Sequence, residues 1–182
     1  MRIIKLLFFF ALVGLLSYCA AETVVTVQSQ PFFDLKSFFS QEQEQLNSIK
    51  KVIKKATIDG VVEEKTMDSF DMKKELALFV DSDINKAAWL DKYNVDSIYN
   101  GKILTQLTYI AKEDDLKTKH LAIHFTKGLV DSIYIIRKTT SLVAKLEQHL
   151  KYVPHKGYSI ESQQKTSLSA AYVLELDVQF VY

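Results

Sequence analysis

The chain has 182 residues, 48% of them apolar and 25% charged, with Lys plus Arg at 23 against Asp plus Glu at 22. That near-neutral balance lacks the basic excess nucleic acid selects, and argues against such a partner. A single Cys leaves no internal disulfide framework and no Cys-rich metal site, while 5 Gly and 2 Pro are too few for a linker or a disordered tail.

The first element is an export leader over residues 1–21. Arg2 and Lys5 precede an apolar run from Leu6 to Leu16 broken by Gly14, and no acid occurs before Glu22. Two cations, a short greasy run and then small residues make a signal peptide, and the run falls short of the roughly 20 residues a spanning helix needs. Processing reads two ways. Leu16-Ser17-Tyr18-Cys19 resembles a lipobox, whose Cys19 would carry lipid and anchor the protein to a membrane, although Tyr18 stands where Gly, Ala or Ser is usual. Alternatively, cleavage follows Cys19-Ala20-Ala21, with small residues at the key positions. Either route leaves an extracytoplasmic chain with 21 basic and 22 acidic residues and a cysteine-free body, so thiol chemistry is excluded from the folded domain.

Residues 22–32 read as a short polar tether and 33–182 as a single domain. From Phe33 the pattern turns helical: Leu35, Phe39, Leu46, Ile49 and Ile53 recur at spacings of three, four or seven, Asp34 suits the N-cap, and Lys50, Lys51, Lys54 and Lys55 suit the C-terminal end. The expectation is one amphipathic helix over about 34–55. Asp59-Gly60 then marks a turn, and 61–67 a strand. Residues 71–80 read as a short helix, and Asp81-Ser82-Asp83 as the cap of another over 84–93. Asn100-Gly101 opens a strand over 102–112. Thr118 to Thr126 alternates, with Leu121, Ile123 and Phe125 on one face and His120, Ala122 and His124 on the other. Lys127-Gly128 and Lys156-Gly157 introduce strands over 129–139 and 158–166, and 172–182 alternates throughout. Residues 142–152 fit helix or strand; the preceding meander favours strand. The sum is an α+β domain, with N-terminal helices packed on one face of a C-terminal antiparallel sheet of five or six strands.

Several stretches resemble a family of uncharacterised secreted proteins and lipoproteins from Bacteroidetes-type bacteria. They are Phe33-Asp34-Leu35-Lys36-Ser37-Phe38-Phe39, Lys73-Lys74-Glu75-Leu76, Asp83-Ile84-Asn85-Lys86-Ala87-Ala88-Trp89, Lys151-Tyr152-Val153-Pro154 and Gly157-Tyr158-Ser159-Ile160. The resemblance spans nearly the whole mature chain and implies an envelope or secreted location, with no assigned activity. Tyr18 is where the chain departs from the lipoprotein members.

Catalytic signatures are scarce. His120 and His124 share a face, but four residues along a strand span about 13 Å, too far for two ligands of one zinc. They read as solvent-facing, with His149 and His155 as surface or turn residues. Asp81-Ser82-Asp83-Ile84-Asn85 begins like a calcium loop, then fails at Lys86, where Gly is needed, and at Lys92, where the bidentate Glu belongs. Glu113-Asp114-Asp115 reads as a solvated turn. No nucleophile elbow and no Gly-rich phosphate loop occurs. Trp89 with Phe32, Phe33, Phe38 and Phe39 suits a core better than a ligand groove. The expectations are therefore no catalytic residue, no metal and no cofactor. The first functional reading is an extracytoplasmic structural or interaction protein, its partners an envelope protein or the membrane through Cys19. The alternative is a carrier or binding module for an apolar ligand, favoured by an open cavity above the sheet. The third reading is an envelope hydrolase, favoured by a pocket with convergent acids or histidines.

Overall fold

A computed structural model describes residues 31–167 and 171–182. The leader and Cys19 lie outside the described residues, as does most of the tether.

Helix α1, Leu35–Gln45, starts where expected: Asp34 caps it by accepting from the Ser37 amide at 2.9 Å. Its stripe of Leu35, Phe39 and Glu42 is buried. The helix does not continue to 55. A 3-10 turn over Leu46–Ser48 ends it, and Lys51–Ile58 is strand β1. Ile49 and Ile53 fit a helical period only as long as the segment stays local. Val52, Ile53, Thr57 and Ile58 are β-branched, and a partner strand lies on each side of them, so pairing overrides the weaker helical pattern.

Strand β2 is Val61–Met67. Asp59 and Gly60 have φ of 48° and 84°, the paired positive values of a type I′ hairpin turn. The helix expected over 71–80 is two single turns, α2 (Met72–Glu75) and α3 (Ala77–Val80). The helix expected over 84–93 is absent; a 3-10 turn over Ala87–Trp89 leads directly into strand β3, Tyr93–Asn100. Strands β4 (Ile103–Ala111), β5 (Thr118–Thr126), β6 (Leu129–Thr140), β7 (Ala144–Val153), β8 (Gly157–Thr166) and β9 (Tyr172–Val181) follow.

Among the described residues, all nine strands form one antiparallel sheet in the order β2-β1-β9-β8-β7-β6-β5-β4-β3. This overturns the expected sheet of five or six strands under a layer of helices. The sheet gains β1 at the cost of the long helix, and gains β3 because the Asn100-Gly101 turn closes a hairpin that pairs it with β4. The helical segment is too short to cover so wide a sheet and caps only half of one face.

Gly157 opens β8 with φ +145°, where a Cβ would sit 1.9 Å from the Val178 carbonyl oxygen on β9. Only glycine lets β8 and β9 approach this closely.

Candidate interaction face

The sheet has a helix side and an outer side, and their residues alternate along each strand. On the helix side, Val52, Leu121, Ile133, Leu150, Tyr152 and Phe180 are buried beneath Leu35, Phe39, Leu46 and Phe79. Tyr152 is the centre of this half: its ring lies 5.0 Å from Phe39 and 5.8 Å from Phe79, both in edge-to-face geometry. Its hydroxyl donates to Glu42 Oε2 at 2.5 Å, which is how α1 carries a carboxylate on its buried stripe. Tyr158 donates likewise to Glu75 Oε2, while Lys54 Nζ reaches Glu75 Oε1 at 2.6 Å. Burial pushes the phenols of Tyr152 and Tyr158 far up, and the neighbouring carboxylates push them further. Both stay protonated and act as fasteners between helices and sheet.

The same face continues uncovered toward the other end of the strands. The level Arg137, Gln148, Ser162, Leu174, Ile58 and Val61 runs across β6, β7, β8, β9, β1 and β2 in register. Arg137 marks the boundary. Its Nη1 donates to the Leu78 carbonyl of α3 at 3.1 Å, while its Nε is buried without a partner among the described residues. Burial lowers its pKa, and Asp81 opposes that. Gln148 bonds Ser162 across the strands at 3.2 Å. Along this level toward β1 and β2, no helix among the described residues covers the sheet. Ile58 is 51% exposed and Val61 66%, and Ala56, Leu146 and Leu174 are partly exposed near them. Contiguous exposed apolar surface of this kind marks binding surfaces in folded proteins.

The outer side carries a polar cluster. Tyr134 hydroxyl and His149 Nδ1 are 3.1 Å apart, and His149 Nε2 lies 3.0 Å from Glu147. Glu147 also receives Lys138 at 2.9 Å. Hydrogen bonds from His149 and then Lys138 hold the Glu147 carboxyl below its ordinary range. Burial, with Glu161 and Glu147 nearby, raises the Tyr134 phenol. A cavity of about 290 Å³ adjoins this cluster, lined among others by Tyr134, His149, Lys151, Glu161, Glu175 and Asp177. Both His149 nitrogens are engaged, one by Tyr134 and one by Glu147, so the imidazole is held in a fixed orientation beside the cavity.

His120 and His124 do lie on one face of β5, as expected, but His120 is half-buried against the Tyr134 ring at 6.0 Å, and its Nδ1 has no partner among the described residues. Asp83 is buried, and it accepts from the amides of Asn85 at 2.7 Å and of Lys36, in the first turn of α1, at 3.3 Å, tying its own loop to the start of α1 rather than capping a helix over 84–93. Glu113 pairs with Lys92 at 2.6 Å in the β4–β5 connection. Phe32, Phe33 and Phe39 are core residues, and Phe38 packs against them; Trp89 lies under Lys86 Nζ at 3.8 Å. His155 turns the chain between β7 and β8 with φ 59°. The His149 cluster escaped the sequence reading because it needs the registers of β6, β7 and β8 together; the available signal was the i,i+2 pair Glu147 and His149 on one strand. Among the described residues, no group of three His, Cys, Asp or Glu could hold a metal, and no helix is long and apolar enough to cross a membrane.

No family model matches the chain, and neither a curated protein nor a solved structure does.

Proposed function

We propose that this protein is an extracytoplasmic binding module of the cell envelope, which engages an apolar surface of an envelope partner through the uncovered half of its sheet. One observation carries the reading. A single sheet face is sealed at one end by α1 and α3, and at the other presents Ile58 and Val61, with Ala56 and Leu174 partly exposed beside them, to solvent. Ile58, Val61 and Leu174 adjoin one another across β1, β2 and β9, so these apolar groups form one patch instead of single scattered residues. The leader ending at Cys19 supports the location. The carrier reading finds no room in the sealed half, where Phe39, Phe79 and Tyr152 fill the space above the sheet.

The test has two arms. Mass spectrometry of the mature N-terminus should find an acylated Cys19; a chain starting at unmodified Glu22 removes the tether. A photocrosslinking residue at Leu174 in living cells should give one discrete envelope adduct, which Ile58→Lys abolishes. An adduct insensitive to Ile58→Lys, or none, defeats the reading.

A hydrolase is the second reading, favoured by the outer cavity where His149, Glu161, Glu175 and Asp177 converge. Turnover of an envelope polymer that His149→Ala eliminates would establish it.

A further inference from the structure

At the end of the sheet where the β1–β2 turn lies, the described β6–β7 turn projects past it. β6 and β7 remain paired out to Thr140 and Lys145, and β7 and β8 out to Ala144 and Thr166. That is three residues, or about 10 Å, past the level of Arg137, where the β1–β2 turn already closes. At the projecting tip Leu142 is 103% exposed and Val143 64%.

Two further features set this tip apart from an ordinary polar turn. The first is its backbone. Ser141 N donates to the Ala144 carbonyl at 2.8 Å, and Ser141 Oγ accepts from the amides of Val143 at 3.4 Å and Ala144 at 3.1 Å. The Val143 carbonyl accepts from Ser167 N at 3.0 Å. These bonds hold the turn in one shape, with Leu142 and Val143 at its apex. The second is charge. Directly behind the tip Lys145 and Lys165 face each other across β7 and β8, both exposed and neither ion-paired among the described residues. Like charges opposed across strands are destabilising, and an anionic surface relieves them. Beside them Lys138 is balanced by Glu147.

We propose that the Ser141–Ala144 turn dips into an anionic phospholipid surface, with Leu142 and Val143 in the acyl boundary and Lys145 and Lys165 on the lipid phosphates. A greasy apex behind a cationic collar matches the layering of an anionic leaflet, apolar inside and negative at its face. This contact is separate from the open sheet face and does not depend on lipid at Cys19.

The experiment uses the full chain with Cys19→Ser, so that an introduced cysteine is the sole thiol. A polarity-sensitive fluorophore is attached at Leu142→Cys, and in a second protein at Leu129→Cys. Leu129 is also exposed, at 69%, but opens β6 next to the β5–β6 turn, at the opposite end of the strands. Vesicles rich in phosphatidylglycerol should brighten and blue-shift the label at 142 but not at 129, and phosphatidylcholine vesicles should do so much less. Lys145→Gln with Lys165→Gln should weaken the partition about thirtyfold, with an unchanged circular dichroism spectrum. A label at 142 that stays in water, or an equal response at 129, overturns the proposal. So does a response that grows with protein concentration without vesicles, which would make the tip a contact between copies.

Discussion

Raising the pH should unfold this protein more steeply than its charge balance alone suggests. Tyr93, Tyr152 and Tyr158 are buried, with exposures of 4%, 0% and 6%, and burial raises all three phenols well above the ordinary value. Tyr93 donates to the Thr118 carbonyl at 2.9 Å, and the other two donate to Glu42 and Glu75. An ionised phenolate in any of these places would lose its bond, and two would face a carboxylate. The folded pKa therefore lies above the unfolded value near 10, so the folded state holds these protons longer. The stabilisation is fully present below about pH 10 and is lost as pH rises toward the folded pKa. Each phenol contributes a limiting slope of about 1.4 kcal/mol per pH unit, and the three together about 4 kcal/mol per unit. Against a domain stability of about 5–15 kcal/mol, two units suffice for most of it. Urea denaturation at pH 9, 10 and 11 measures the effect. Tyr93→Phe should remove about a third of the slope, since its partner is a neutral carbonyl. A midpoint unchanged between pH 9 and 11 refutes the reasoning.

Tyr152→Phe should cost about 2–3 kcal/mol at pH 7, because it leaves the buried Glu42 without its donor; Tyr152→Phe with Glu42→Leu should recover part of that loss, as read from urea midpoints. Gly157→Ala should cost more than about 3 kcal/mol, since the Cβ meets the backbone of β9 at 1.9 Å; a soluble variant with wild-type thermal midpoint contradicts the close approach. His120 is held neutral by burial, its pKa lowered, so its contribution is present above about pH 6.5 and fades as pH falls through the folded pKa. His120→Phe should flatten the stability profile below that pH and cost little at pH 7, because Nδ1 has no described partner to lose; a loss above about 3 kcal/mol at neutral pH would show a partner. Val61→Lys, on the open face, should change stability by no more than about 0.5 kcal/mol while eliminating the envelope adduct of the crosslinker at Leu174.

What could be read from the residues was local. Alternation in 118–126 and 172–182, and the Asp59-Gly60 and Lys127-Gly128 turns, depend on neighbours in sequence, and those strands and turns are present. The start of α1 was legible for the same reason, since Asp34 caps it three residues away. Its end was not. Ile49 and Ile53 satisfy a helical period, yet Val52 pairs with Phe180, which stands 128 residues further on, and that long-range ladder decides the segment. β3 was likewise invisible: its polar Asn94, Asp96 and Ser97 are acceptable because it is an edge strand paired only with β4. The Tyr134, His149 and Glu147 cluster assembles from two strands through their register, and the open apolar face exists because the helices are too short for the sheet beneath them. Sequence fixes turns, caps and alternation because these act over a few residues; sheet width, the covered half and the projecting tip arise from pairings whose cost and gain are settled only when distant strands meet.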